Sequence, residues 1–269
     1  MTYIRLDALD LVLPALLLVL NGALSVAFGL GLERRLAVAA LRMVVQLGLI
    51  GYVLAALFAA ASPAWTAAAA LVMAAFAGHE IAARQARPLA GGRGPALGTG
   101  CALAAAGPVT ALALLTQIRP EPWYDPRYAL PLLGMVLGNA MTGIALGLDV
   151  LATGAVRDRA AVEARLALGA TRLEAMLPVA RAALRAGLMP TVNAMAAAGV
   201  VSLPGMMTGQ ILAGVEPTEA AKYQLLVMFL IAGGTGLGTV AAVLGGVHLL
   251  TDGRHRLRLD RLGLRDGGA

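Results

Sequence analysis

Seven apolar stretches of roughly membrane-spanning length follow one another along the 269-residue chain. The hydrocarbon core of a bilayer is about 30 Å thick, so a helix needs roughly 20 apolar residues to cross it. Because 59% of the residues are hydrophobic and only 13% are charged, a soluble fold would expose too much apolar surface. The sequence predicts an all-α polytopic membrane protein with about seven transmembrane helices, near residues 9–32, 36–60, 64–83, 96–117, 128–151, 190–214 and 224–250.

The distribution of arginine predicts the orientation of these helices. Loops that stay in the cytosol retain Lys and Arg, whereas translocated loops are depleted of them. Most of the 21 basic residues fall in alternate loops and in the C-terminal tail, at 34–35, 84–93, 157–185 and 254–265. We therefore expect the N-terminus outside, the C-terminus inside and a multi-pass location in the inner (plasma) membrane. Membrane topology accounts for the net charge of +6, so we expect no nucleic-acid partner.

The longest segment outside the predicted spans, about residues 152–189, has the pattern of two short helices joined at a corner. Asp158–Leu168 has helix-forming composition, and Gly169 suits a C-terminal cap. Thr171 followed by Glu174 makes a capping box that begins a second helix. The sequence predicts a cytosolic elbow at Gly169-Ala170 within one transmembrane permease domain that covers residues 1–269.

The apolar stretch 199–214 is interrupted in its middle by Leu203-Pro204-Gly205. Proline removes a backbone donor and glycine adds conformational freedom, and lipid offers no water to satisfy the released carbonyl groups. Such a break is stable only against other protein or beside a cavity. We therefore expect a broken helix that lines a pathway.

Several short motifs carry a resemblance to a known family. Glu163-Ala164, separated by three residues from Leu168-Gly169, resembles the coupling loop of ABC transporter permeases, with Arg165 in place of a second alanine. The string Ser202-Leu203-Pro204-Gly205-Met206-Met207, followed by Tyr223-Gln224, is similar to the FetB-type family of metal-export ABC permeases, which has plant aluminium-tolerance relatives. The resemblance implies that an ATPase docks on the elbow through Glu163, Ala164, Arg165, Leu168, Gly169, Ala170 and Thr171.

The same resemblance implies a permease without an ATPase domain, which exports iron or another metal and works as a homodimer with a separate ABC ATPase subunit in the lipid bilayer. A phosphate-binding loop needs Gly-x4-Gly-Lys followed by Ser or Thr, and the one lysine, Lys222, lies between Ala221 and Tyr223. We therefore expect no cofactor in this chain, ATP bound by the partner subunit, and a transport subunit instead of an enzyme.

Polar and sulfur-bearing side chains within the apolar stretches are candidates for the pathway or its hinge. Arg42 can also extend its guanidinium to the lipid headgroups, Asn139 can bond another helix, and methionine often fills gaps in a core. No metal ligand set can be assigned, because His79, His248 and His255 have no ligand spacing. The candidates are Arg42, Gln46, Met135, Asn139, Ser202, Pro204, Gly205, Met206, Met207 and Gln210.

Two other functions remain open from the sequence. One is an ABC permease for another solute, such as a nucleotide sugar. The other is a secondary transporter or channel that needs no ATPase, since broken helices also occur there. A membrane hydrolase is disfavoured, because none of Ser25, Ser62 and Ser202 lies in Gly-x-Ser-x-Gly.

Overall fold

A computed structural model describes residues 7–263, which form nine α-helices. Contacts divide this part of the chain into two units, residues 7–60 and residues 61–263. The first unit holds α1 and α2, and the second holds α3 to α9. The helices are α1 (Val12–Ala27), α2 (Glu33–Ala60), α3 (Pro63–Ala83), α4 (Arg93–Leu112), α5 (Pro126–Arg157), α6 (Arg159–Ala167), α7 (Arg172–Ala197), α8 (Gly205–Leu212) and α9 (Pro217–Leu249).

The first unit is a pair of apolar helices joined by a short turn. The buried Ser25 hydroxyl donates to the carboxylate of Glu33 (3.0 Å) and accepts a hydrogen bond from the Leu32 N–H (2.9 Å). These bonds fix the turn that ends α1 and begins α2. Leucine and valine side chains along both helices are exposed, as expected for surfaces that face lipid.

Six helical segments within residues 7–263 are long and apolar enough to cross a membrane. This confirms the predicted class, an all-α membrane protein. The predicted span at 190–214 differs from the others, because it is not one helix. The six segments are Leu9–Ala27, Glu33–Ala60, Pro63–Ala83, Arg93–Ile118, Pro126–Arg157 and Pro217–Leu249.

The region predicted as a broken span consists of the end of α7, an irregular loop at 198–204, and α8. The break is wider than the Leu203-Pro204-Gly205 tripeptide, since α7 already ends at Ala197 and Gly199 has a φ of +84°. Hydrogen bonds inside the loop satisfy part of its backbone: the Gly199 N–H donates to the Ser202 carbonyl (2.9 Å) and the Ser202 N–H to the Ala197 carbonyl (3.1 Å). Pro204 then occupies the N-cap position of α8.

Two further prolines, Pro178 and Pro190, lie inside a helix. The sequence predicts a span that begins near residue 190, whereas α7 begins at Arg172 and runs through both prolines. The missing proline N–H groups are tolerated because neighbouring helices pack along α7.

The core of the second unit is organised around α5, which packs against α3, α4, α7 and α9. One face of α5 is buried at intervals of three or four residues, the spacing of a helical stripe. The buried residues include Val136, Ala140, Ile144, Leu148, Leu151 and Ala155.

Glycines let the backbones of these helices approach closely. A Cβ atom on Gly187 of α7 would lie 2.5 Å from the carbonyl oxygen of Gly143 on α5 and 2.7 Å from a methyl carbon of Thr239 on α9. On α9, Gly234 packs against Val136, and Gly238 packs against Ile144. Through these contacts, α5, α7 and α9 form one tightly packed group.

Three basic segments that the sequence predicts on the inside meet at one end of this unit. The Ala90 N–H, in the α3–α4 loop, donates to the carbonyl of Arg261 in the tail (2.8 Å). The Arg172 N–H, at the start of α7, donates to Nδ1 of His255 in the tail (3.1 Å). Their meeting at one end supports the predicted alternation of loops, and the side of the membrane that this end faces stays a prediction.

The close contact between α5 and α7 yields a test of packing. Gly187→Ala places a methyl group against the Gly143 carbonyl, so we expect the free energy of unfolding to fall by about 1–3 kcal/mol, the usual cost of overpacking. Unfolding is followed by SDS titration in mixed micelles. The matched control is Gly233→Ala on α9, where no atom lies within 4 Å of the added Cβ. Equal loss of stability in the two variants would contradict the packing model.

Candidate functional site

The predicted elbow is present, and its first arm is a short amphipathic helix. Val162 of α6 is fully buried, and Leu166 packs against the core, so the helix is anchored on one side. The Arg165 guanidinium donates to the Ala175 carbonyl of α7 (3.3 Å) and ties the two arms together. Glu163 and Ala164 lie on the exposed side, where Glu163 forms an ion pair with Arg159 (2.8 Å).

A defined hydrogen-bond motif forms the corner of the elbow, residues 168–171. Gly169 has a φ of +92°, a conformation that glycine adopts without strain. The Gly169 N–H donates to the Leu166 carbonyl (3.1 Å) and the Ala170 N–H to the Arg165 carbonyl (3.0 Å). This pair of bonds is the Schellman motif, which satisfies the last carbonyls of a helix. The predicted C-terminal cap at Gly169 is confirmed.

The second arm begins with the predicted capping box. The Thr171 hydroxyl accepts from the Glu174 N–H (3.4 Å), and the Glu174 carboxylate accepts from the Thr171 N–H (2.8 Å). The backbone N–H of Thr171, and then its hydroxyl, hold the pKa of Glu174 below its usual value. Because this pKa is lowered in the folded chain, the stabilisation is complete above the unfolded value of 4.5 and is lost as the pH falls through the folded value.

The C-terminal tail contacts this corner through His255. A tight turn holds the segment: the carboxylate of Asp252 accepts from the N–H groups of Arg254 and Arg256, each at 2.9 Å. The backbone N–H of Arg256 is the largest cause that lowers the pKa of Asp252 to about 2, so this carboxylate is ionised at neutral pH. The turn places the His255 ring at the first residue of α7.

A second feature is a cavity of about 220 Å³ between α5, α7, α8 and α9, which we call the methionine cavity. Its lining carries three thioethers and three uncharged polar side chains, with apolar residues between them. None of its described lining residues is charged. The sulfur-bearing and polar residues are Met135, Asn139, Thr191, Met206, Gln224 and Met228.

Two amides of this cavity have different hydrogen-bond states. The Asn139 side chain donates through Nδ2 to the Met135 carbonyl one turn earlier on α5 (2.8 Å). Gln224 is only 8% exposed, and its Oε1 has no hydrogen-bond partner among the described residues. A buried carbonyl oxygen without a donor is costly. The Gln224 oxygen is therefore the polar atom of the cavity most in need of a ligand.

The structure brings half of the predicted pathway residues together. Met135, Asn139, Pro204, Gly205 and Met206 line the methionine cavity. Ser202 forms the loop before α8 through its backbone, while Met207 and Gln210 lie on α8 outside the residues that line the cavity. Arg42 and Gln46 share a face of α2 in the first unit.

Three important lining residues were not predicted. Gln224 and Met228 lie four residues apart on one face of α9, and Thr191 follows Pro190 on α7. The signal was present for Gln224, since an amide in an otherwise apolar span is unusual and tends to be functional. On α5, a Cβ atom at Gly134 would lie 3.1 Å from the terminal methyl carbon of Met73 on α3, whereas no atom lies within 4 Å of a Cβ placed on Gly138.

One helix joins the elbow to the methionine cavity. α7 begins at the corner, and its residues Thr191 and Ala194 line the cavity. At 1.5 Å per residue, the helix from Arg172 to Thr191 is about 30 Å long. Another cavity of about 220 Å³, lined by Asp149, Arg157 and Pro178, lies between the end of α5 and the start of α7.

The comparisons with known proteins agree with the motif resemblance. Residues 8–250 match the model of the family described as Uncharacterised protein family (UPF0014). The chain belongs to the UPF0014 family. No solved structure matches the chain.

Curated relatives of the chain come from bacteria and from a plant. "UPF0014 membrane protein slr1647" of Synechocystis is 39% identical over 79% of this chain and 82% of its own length. "Protein ALUMINUM SENSITIVE 3" of Arabidopsis thaliana is 34% identical over 81% of this chain and 78% of its own length. "Probable iron export permease protein FetB" of Escherichia coli is 35% identical over 52% of this chain and 54% of its own length. The predicted FetB-type resemblance is confirmed.

The capping box of the UPF0014 chain can be tested locally. Thr171→Ala removes the side-chain acceptor, so we expect the start of α7 to lose about 1 kcal/mol of stability. Hydrogen exchange of the amides of residues 171–175 should become several-fold faster. Thr171→Ser keeps the hydroxyl and serves as the matched control. The cap assignment is wrong if the serine variant exchanges as fast as the alanine variant.

Proposed function

We propose that this chain is the membrane-spanning permease subunit of an ABC transporter that exports a metal ion, and that a separate ATPase docks on its elbow. The observation that carries the proposal is the geometry of the corner between α6 and α7. A Schellman motif and a capping box, only two residues apart, make a stiff corner on a segment that would otherwise be a flexible loop.

The exposed tip of the corner suits a protein partner. Leu168, which follows the last residue of α6, is 88% exposed, although Val162 of α6 is fully buried. Burial of the Leu168 side chain against an apolar surface of a partner would be favourable. Glu163, on the open face of α6, adds a charge that can set the register of docking.

Helix α7 connects this exposed tip to the proposed pathway. α7 runs without interruption from the corner to the methionine cavity, so a tilt of the elbow moves Thr191 and the break that follows α7. The cavity between the end of α5 and the start of α7 leaves room for such a tilt. The broken segment at 198–204 supplies the hinge between α7 and α8.

The proposed substrate, stoichiometry and location are based on relatives of the chain. The Escherichia coli relative is named as a probable iron export permease, and the name of the plant relative refers to aluminium sensitivity. We therefore propose a metal as the exported solute, two permease chains in the complex, and a location in the inner (plasma) membrane with the elbow in the cytosol. A nucleotide sugar remains the second candidate substrate.

Docking on the elbow can be tested by photo-crosslinking in the native host. A photoreactive amino acid at position 168 should crosslink the full-length chain to a protein that contains a Gly-x4-Gly-Lys-Ser/Thr peptide, identified by mass spectrometry. The same amino acid at Leu212, a leucine that is 70% exposed on α8, should not capture that protein. Equal capture at both positions would rule out specific docking on the elbow.

Coupling depends on the backbone of Gly169. Gly169→Leu forces a branched side chain into a φ of +92°, so we expect at least a tenfold loss of substrate-stimulated ATP hydrolysis in the purified complex, with insertion unchanged. Gly169→Asn is the matched control, because asparagine tolerates this conformation, and should keep most of the activity. Full coupling in the leucine variant would contradict the proposal.

A transport assay without an ATPase distinguishes an ABC permease from a secondary transporter or channel. Vesicles that contain only the purified chain should move no metal without an ATPase and ATP. Transport by the chain alone would overturn the ABC assignment and favour a secondary transporter or channel.

A further inference from the structure

Three thioethers from three different helices line the methionine cavity. Met135 lies on α5, Met206 on the first turn of α8, and Met228 on α9. Methionine is a frequent gap filler in apolar cores, but here the side chains border an open space instead of filling it. Thioether sulfur is a neutral, polarisable donor that suits soft metal ions, Cu(I) above all.

The oxygen of Gln224 gives a second, independent sign of a ligand. Gln224 is more than nine-tenths buried, lines the same cavity, and has an Oε1 without a hydrogen-bond partner among the described residues. A carbonyl oxygen is an acceptor, so the missing partner is a cation or a hydrogen-bond donor. Met228 lies one helical turn further along the same face of α9.

The charge of the cavity limits the kind of cation. The described lining has thioethers, amides and a hydroxyl but no carboxylate, thiolate or imidazole. Hard cations of higher charge are held by anionic oxygens, and a multivalent ion in this setting would be poorly compensated. The N-terminus of α8, at Gly205, borders the cavity and adds a partial positive charge. A singly charged soft ion meets the smallest electrostatic penalty.

We propose that the methionine cavity binds a soft monovalent cation of the Cu(I) or Ag(I) class, with Met135, Met206, Met228 and Gln224 as its ligands. The role of this ion as transported substrate rests on the proposed permease function. Met206 is the ligand that couples binding to movement, since it follows the break at 198–204 directly, and a shift of α8 removes its sulfur from the site.

Binding of Ag(I) to the full-length chain in lipid nanodiscs tests the site without an ATPase. Ag(I) is soft and resists air oxidation, and calorimetric titration gives its affinity. All variants carry Cys101→Ala, because the one thiol of the chain would bind Ag(I) by itself. We expect a saturable site with sulfur neighbours in X-ray absorption spectra of the bound silver.

Two isosteric variants on adjacent residues assign the site. Met206→Leu conserves volume and should weaken Ag(I) binding at least tenfold. Met207→Leu, on the same helix but outside the lining, should leave the affinity unchanged and is the matched control. Should Met206→Leu fail to fold, Met228→Leu replaces it, with the same expected loss. Gln224→Leu should weaken binding by a smaller factor.

The outcomes distinguish failure of the proposed cation site from failure of the proposed ABC permease function. Ag(I) binding that is absent, or equally strong in the Met206→Leu, Met228→Leu and Met207→Leu variants, overturns the site. Tighter binding of Fe(II) than of Ag(I) also overturns it. If Ag(I) binds as expected but the complex shows no metal-stimulated ATP hydrolysis, the site stands and the proposed ABC function fails.

Discussion

The contact between Gly143 and Gly187 is the constraint on which the rest of the second unit depends. The Gly187 Cα lies so close to the Gly143 carbonyl that not even a methyl group fits between them. Lipid tails are as apolar as leucine, so helices in a membrane associate through such close backbone packing and not through the hydrophobic effect. Thr235 and Thr239 of α9 close over the same point. α5, α7 and α9 are thereby fixed close to the methionine cavity, since Gly187 lies one helical turn before Thr191 on α7.

This arrangement explains which features could be predicted from the sequence. The elbow follows from local chemistry: Gly169 caps one helix, and Thr171 with Glu174 caps the next, so a window of a dozen residues determines it. The break before α8 is equally local, because Pro204 cannot donate a backbone hydrogen bond. Its extent was underestimated, since the αL conformation of Gly199 and the bonds of Ser202 within the loop cannot be inferred from proline alone.

The composition of the cavity could not be predicted in the same way. Met135, Asn139 and Met206 were candidates because each is unusual in its own segment, but Gln224, Met228 and Thr191 join them only through the packing of α5, α7 and α9. Long-range packing also explains why α7 continues through Pro178 and Pro190. The tertiary contacts along α7 outweigh the local preference of proline for a helix break. Sequence periodicity identifies faces of helices, whereas only the fold says which faces meet.

The same geometry sets how a push at the elbow can reach the cavity. Under the proposed function, a displacement at Arg172 pivots α7 about Gly187, where the backbone contact with Gly143 holds the helix. A pivot moves the two ends in opposite directions. Beyond Gly187, Thr191 and Ala194 line the cavity, and α7 then leads into the loop before α8, which carries Met206. In the proposed mechanism, a ligand set shared by α5, α8 and α9 is assembled and dismantled by movement of α8, while the packing of α5 against α9 stays unchanged.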